Sequence, residues 1–314
     1  MPSQRVIRIN GPRNSVENLK EFQESVPEPT KYEVLVRVHG VSLNYRDIGV
    51  ATSLYPFPVK DNVVPCSDAA GVVVKVGEGV KNVTVGDHGG PIDGVLREYV
   101  CIPAASAVQV PKESALSFCE WSTLVCTGVT AWNALYGNIP LRPGQTVLFQ
   151  GTGGVSITGL ILAKAAGART IITSSSDEKL KRVQADYGWS KEVLRLTQGQ
   201  GVDYIFENGG SGTIGESLNA VKMGGNISVI GFLSQADQAK MPDVAALALS
   251  KGAVVRGITV GSTQLLQEVT RFVATRGLRL PVDKVFDFNE KAVVEAYKYA
   301  ASGAQIGKVC IKVA

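Results

Sequence analysis

The chain lacks any uninterrupted apolar run long enough to cross a bilayer, and its first ten residues, MPSQRVIRIN, carry no apolar core of signal-peptide length. The expectation is a cytoplasmic location with no membrane partner. No basic cluster stands out, and 32 Lys and Arg against 28 Asp and Glu leave a mild +4. That argues against dedicated nucleic-acid binding. None of the five cysteines, Cys66, Cys101, Cys119, Cys126 and Cys310, stands in CxxC spacing, and their number is odd. They read as reduced thiols. Internal repeats and low-complexity tracts are missing too. What is there is an ordinary globular composition, 45% hydrophobic over 314 residues, enough for a sizeable core and for two domains.

The most informative stretch is 145 to 183, QTVLFQGTGGVSITGLILAKAAGARTIITSSSDEKLKRV. A short apolar strand, Val147 to Gln150, runs into Gly151-Thr152-Gly153-Gly154-Val155-Ser156. Ile157, Leu160, Ile161 and Ala165 then recur at helical spacing, and Thr170 to Thr173 reads as a second strand. Lys164 falls near the end of that face, where its stem can reach water. Free N–H groups at such a helix start, after a glycine turn, suit an anion. The glycine pattern alone is weakly specific, and Ser156 stands where the dinucleotide fingerprint has a third glycine or alanine. The strand before and the helix and strand after are what a βαβ nucleotide site requires.

The end of the second strand bears on the choice of nucleotide. NAD sites place an acid there for the ribose hydroxyl, whereas NADP sites avoid a carboxylate beside the 2'-phosphate. Here the strand ends in Ser174-Ser175-Ser176, with Lys179 one turn on. The serines also suit a helix cap, and Asp177 lies nearly as far along as a ribose-binding acid would. Placed in a first helical turn, Asp177 is explained by the helix dipole, and the expected cofactor is NADP(H).

Before this unit the chain is rich in short strand-like segments: 32 to 43, 71 to 80, VTVGDH, REYVCIP and AVQVP. Many strands without intervening helices point to a partly closed barrel. A helical pattern begins at Phe118. Downstream, strands at 202 to 210, NISVIGF and AVVRGITVG alternate with helices at ESLNAVKMGG and MPDVAALALSKG, implying a parallel sheet covered on both faces. The tail reads as helix, strand, helix and a closing strand, KVCIKV, which is most simply placed back against the first domain.

SLNYRD at 42 to 47, PCSDAAGVVVKVGEGV from Pro65, DGVLREYV from Asp93, CTGVTAWNAL from Cys126, GTGGVS, VIGF from Val229 and IGKVCI near the end together resemble the medium-chain dehydrogenase/reductase superfamily. Within it the likeness is to the zinc-free quinone oxidoreductase-like and enoyl reductase-like branch, over nearly the whole chain. The resemblance implies an α/β fold with a GroES-like, partly open β-barrel catalytic domain, residues 1–125 with 264–314 returning to it. It implies a Rossmann doubly wound parallel sheet over 126–263. It also implies a homodimer paired through a strand at Val254 to Val260.

By the same likeness, zinc-containing relatives take catalytic ligands at the positions of Asn44, Ser67 and Cys126. Only Cys126 is a ligand type, and one thiolate cannot make a three-ligand open site. No metal is expected. The resemblance implies site roles for Asn44, Tyr45, Tyr55 and Thr130. It implies cofactor contacts from Gly151, Thr152, Gly153, Gly154, Val155, Ser156, Ser174, Ser175, Lys179, Gly231, Phe232 and Lys308. Each has a structural alternative: Asn44 in a turn, Tyr45 in the barrel core, Tyr55 at a loop surface, Lys308 solvated. His39 and His88 fall on no catalytic position.

Two stretches are shorter than the resemblance leads one to expect: after Val85-Gly86-Asp87, and at Gln184 to Trp189, where a third Rossmann strand would fall. The expected function is NADPH-dependent, metal-free hydride transfer to a quinone or α,β-unsaturated carbonyl. The alternatives are a cofactor-binding protein of little activity and, more weakly, a zinc-type alcohol dehydrogenase.

Overall fold

The computed structural model describes residues 2–80, 93–174 and 189–314. The chain divides into two compact units, Met1–Val129 with Ser262–Ala314, and Thr130–Gly261. Unit 1 opens with β1 (Ser3–Ile9), β2 (Leu19–Ser25), β3 (Glu33–Ser42), α1 (Tyr45–Ala51), β4 (Asp68–Val76), β5 (Tyr99–Pro103) and α2 (Phe118–Ser122). A wide turn of helix, Leu124–Gly128, leads to α3 (Val129–Tyr136), within which the chain passes into unit 2. There follow β6 (Thr146–Gln150), α4 (Gly154–Ala165), β7 (Arg169–Thr173), α5 (Trp189–Leu196), β8 (Val202–Glu207), α6 (Ile214–Ala220), β9 (Val221–Val229), α7 (Val244–Lys251) and β10 (Val254–Gly257). The chain returns to unit 1 as α8 (Thr263–Arg276), β11 (Val282–Asp287), α9 (Glu290–Ala301) and β12 (Lys308–Lys312).

Unit 1 is the GroES-like domain, organised on β3. One edge of β3 carries β4; the other is shared by β5, opposite Glu33 to Arg37, and β12, opposite Gly40 to Ser42. The closing strand does return to the first domain. Alternation along β3 buries Val34, Val36 and Val38 with Val100, Ile102, Val309 and Ile311, each such side chain contributing about 1.5–3 kcal/mol on removal from water. Helix α9 adds Val293, Ala296 and Tyr297 to that core. It starts at Asn289, whose side chain accepts from Ala292 N. Gly40 is required where α2 crosses β3, since a β-carbon there would lie 2.7 Å from Cys119 N.

Unit 2 is a Rossmann-like parallel sheet in the order β10-β9-β8-β6-β7. That corresponds to strands 6-5-4-1-2 of the dinucleotide-binding order. The third-strand region, like the VTVGDH stretch and His88, lies outside the described residues. One face of the sheet packs Leu148, Ile205 and Ile227 against Val193, Ile214 and Leu218 from α5 and α6. The central strands are buried on both faces and need no alternation.

Several expectations are corrected. AVQVP, 107 to 111, forms no strand; Ala107 N bonds Ala104 O in a turn, and Pro111 has no N–H to give a ladder. The helix at ESLNAVKMGG stops at Ala220, because Val221 pairs with Val202 and starts β9. The strand expected from Val254 to Val260 ends at Gly257. Val260 turns to φ 51, its carbonyl taken by Asn133 Nδ2 at 2.8 Å. Helix α1 was not anticipated.

Candidate functional site

Unit 2 places its glycine turn at the carboxyl end of β6, beside β8, where the strand order reverses. Gly151 has φ +77, and a β-carbon at Gly151 or Gly153 would meet nothing within 4 Å. The cradle is open on the side a ligand would use. Gly153 is the N-cap of the twelve-residue α4 and accepts from Ile157 N, so the N–H groups of Gly154, Val155 and Ser156 precede the first helical bond. These atoms fit a nucleotide pyrophosphate.

The face of α4 differs from the one its apolar spacing suggests. Ser156, Thr158, Gly159, Leu162 and Ala163 are buried, while Ile157, Leu160, Ile161 and Ala165 are half-buried and Lys164 is exposed. Two local constraints rotate it. Ser156 Oγ donates to Gln150 O at 2.7 Å and accepts from Asn208 Nδ2 at 2.9 Å. Gly159 lies on the Phe149–Phe206 ring pair, where a β-carbon would come within 2.7 Å of Phe149 and 2.8 Å of Phe206. Close helix–sheet approach, the job of the fingerprint's third glycine, is done by Gly159. The Ser156 hydroxyl is committed inside the protein, which leaves its N–H for a ligand.

A buried polar cluster beneath the turn went unrecognised in the sequence. Gln150 Nε2 donates to Glu207 Oε2 at 2.8 Å and Gln150 Oε1 accepts from Asn208 N at 2.9 Å. The Glu207 carboxylate also accepts from Gly209 N, Gly210 N, Thr213 and Ser217. It ties the ends of β6 and β8 together. The available signal was a polar residue closing each of two apolar runs, VLFQ and YIFE.

Gly231 lies against the backbone of Asn208, where a β-carbon would come 2.4 Å from Asn208 O; Phe232 beside it is exposed. Ser174 directly follows β7. Ser175, Asp177 and Lys179 lie outside the described residues. Thr130 is buried in α3 of unit 2.

In unit 1, Asn44 is the N-cap of α1, its N–H donating to Asp47 Oδ2 at 2.8 Å. Lys308, only 3% exposed, donates from Nζ to Leu43 O at 2.5 Å and to Asn44 Oδ1 at 2.6 Å. Asn44 Nδ2 is buried with no partner among the described residues. Thus Asn44 and Lys308, assigned separately to catalysis and to a cofactor phosphate, stand together. Tyr45 is 58% exposed rather than in the barrel core. Tyr55 packs against the unit 1 core, its ring edge-on to Phe57 at 5.4 Å.

Around this pair the backbone and acids are held tightly. Burial pushes Asp47 up to about 6, against the pull of Arg46. The buried Asp68 accepts from Ser67 Oγ at 2.6 Å and from Cys126 N at 3.0 Å. Cys66 has φ 69, a strained value for a side chain of its kind, and its sulfur lies 3.3 Å from Tyr297 Oη. Burial raises that thiol and that phenol well above their ordinary values. His39 stacks on Phe118, with ring centroids 4.5 Å apart. Ala69, Val73, Phe118, Trp121 and Val125 of unit 1 help to line an apolar cavity of about 920 Å³, within the size range of small-molecule sites.

Zinc does not fit these residues. Asn44 and Ser67 offer no thiolate or imidazole, and among the described residues no group of three His, Cys, Asp or Glu side chains could hold a metal ion.

Comparison with known proteins is consistent over the chain. Residues 30–112 match the alcohol dehydrogenase GroES-like domain, and residues 154–275 match the zinc-binding dehydrogenase family. A zinc-type alcohol dehydrogenase-like protein of Schizosaccharomyces pombe is 37% identical over 335 residues, 95% of this chain and 96% of the relative. That alignment is longer than the present chain, so the relative carries residues within it that this chain lacks. A crystal structure from Sinorhizobium meliloti 1021, provisionally described as an alcohol dehydrogenase, is similar with a TM-score of 0.87 at 35% identity, covering 100% of both chains. An NAD-dependent alcohol dehydrogenase is similar at 0.86 and 28% identity, over 99% of this chain and 100% of that one. A quinone oxidoreductase of Pseudomonas syringae pv. Tomato DC3000 is similar at 0.81 and 25% identity, over the same shares.

Proposed function

The chain belongs to the medium-chain dehydrogenase/reductase superfamily of oxidoreductases, and from that premise we propose that it carries hydride from NADPH to a quinone or an α,β-unsaturated carbonyl without a metal. The observation that carries the acceptor class is the state of the Asn44 amide. Its oxygen is taken by Lys308 and its nitrogen has no partner among the described residues. A buried donor in need of an acceptor suits a carbonyl oxygen, which gains negative charge as hydride arrives at a conjugated carbon.

Bound nicotinamide nucleotide would supply the hydride. The chain's own part is to seat the pyrophosphate on the N–H groups of Gly154, Val155 and Ser156 and to hold the acceptor oxygen at Asn44. Tyr45 and Tyr55 would bound the ring, and Thr130 would stand by the nicotinamide. Alcohol oxidation asks for a group that stabilises an alkoxide, and the donor set at Asn44, Ser67 and Cys126 builds no metal site to supply it. The likeness to a quinone oxidoreductase supports the acceptor class.

For the cofactor we favour NADPH, on Ser174, Ser175 and Lys179 as a setting for a 2'-phosphate. The likeness to an NAD-dependent enzyme pulls the other way and makes this the point to test. The protein would act as a cytoplasmic homodimer on a small-molecule substrate, pairing through β10, which is an edge strand of the unit 2 sheet.

The deciding experiment is a fluorescence titration with NADPH and with NADH, beside K179A, followed by a screen of quinones and enones for NADPH consumption. Tight NADPH binding that K179A selectively weakens, with turnover of at least one acceptor, supports the reading. Binding without turnover of any acceptor instead identifies a nucleotide-binding protein, the outcome favoured if the residues missing relative to the yeast protein once completed the pocket. No binding of either nucleotide overturns both.

A further inference from the structure

We infer that Lys308 is a positioning residue that sets the polarity of the Asn44 amide, so that the site offers its ligand a hydrogen-bond donor and never an acceptor. This deepens the carbonyl-reduction reading and rests on it.

An asparagine amide has two faces of opposite character and similar shape, and its orientation is set by its partners. An ammonium has donors only. With Nζ 2.6 Å away, the amide atom facing Lys308 must be Oδ1. A flipped amide would set NH2 against NH3+ and leave a buried donor pair facing each other. The amide nitrogen is therefore held on the opposite side, where it is buried and has no partner among the described residues. The charge adds a second effect: hydrogen bonding at Oδ1 polarises the amide and strengthens Nδ2 as a donor.

Lys308 is itself aimed by the backbone. Gly307, at φ +91, lets β12 begin so close to Pro281 that a β-carbon would lie 2.3 Å from Pro281 O. Lys308 N donates to that same oxygen at 2.7 Å, and Leu43 N donates to Val309 O at 2.9 Å. The lysine stem leaves a fixed strand and its head is anchored on Leu43 O. A ligand oxygen meeting Asn44 thus meets a donor whose direction is set before it arrives, which is the preorganisation that lets one hydrogen bond act on a developing charge.

The test is a double-mutant cycle of N44A and K308M, with K308R and N44D alongside, read by turnover of the acceptor found in the screen and by NADPH titration. K308M is expected to lower kcat by about 10- to 100-fold, at or below the loss from removing an oxyanion donor outright, with NADPH affinity unchanged within about twofold. In the N44A background K308M should cost nothing further, and K308R should restore part of the rate. N44D keeps the ion contact but loses the donor, and should be as slow as N44A. Additive losses, or a K308M defect confined to NADPH affinity, would overturn the inference and return Lys308 to a cofactor-phosphate role. Should the wild type reduce no acceptor, the carbonyl reading fails by itself. The side-chain amide resonances of Asn44, assigned through N44A, still decide the pairing: they must shift in K308M and return toward wild type in K308R.

Discussion

Ser156 Oγ donates to the carbonyl of Gln150 at 2.7 Å, closing the glycine turn back onto the strand that leads into it. The same hydroxyl accepts from Asn208 Nδ2 at the end of β8. A residue that departs from the glycine fingerprint is therefore a brace between two strand ends, and its loss should loosen the nucleotide cradle from below.

S156A is expected to lower stability by about 1 kcal/mol, the usual net worth of one buried hydrogen bond, and to weaken nucleotide binding severalfold. Urea unfolding and a nucleotide titration on the same preparation check both. An unchanged affinity would show that the turn holds its shape without the brace.

Gly159 has no room for a side chain between α4 and the rings of Phe149 and Phe206. G159A should destabilise by about 1–3 kcal/mol through overpacking, with G159V worse. A midpoint equal to wild type in urea would mean that α4 can ride outward freely.

Glu207 is fully buried and accepts from five groups of the chain. E207A leaves several of those donors unsatisfied and should cost about 3 kcal/mol or more, at roughly 1–3 kcal/mol for each orphaned group. E207Q, which keeps one acceptor oxygen, should cost less. Thermal unfolding of the pair would expose the opposite order, which the network does not permit.

Asp47 gives a pH signature. Burial raises it from 3.8 to about 6 in the folded chain, so the folded state holds its proton more readily than the unfolded state. Its favourable contribution is complete below about pH 4 and is lost as pH rises through about 6. Two units correspond to about 3 kcal/mol. D47N carries no such titration, so the stability of wild type relative to D47N should fall between pH 4 and pH 7. A constant difference across that range, measured by urea unfolding, would place the Asp47 carboxylate in water.

The order of strands and helices in unit 2 and the glycine turn after β6 were legible because each rests on local pattern: apolar runs, glycine punctuation and helical spacing. The order of motifs along the chain was specific enough to point to the family. Other features were decided only by tertiary contact. The sheet-facing side of α4 follows from Gly159 against two rings and Ser156 against Gln150, and helical spacing of apolar residues carries no information about a face made of small ones. The start of β9 at Val221 follows from pairing with Val202, which outweighs the helical continuation of its own sequence. Lys308 and Asn44 stand 264 positions apart in the chain. Their types alone leave a solvated lysine and a turn asparagine as reasonable readings. It is the pairing of β12 with β3 that buries the ammonium on the amide, because a charge taken from water must find its hydrogen bonds within reach, and Asn44 is what lies there.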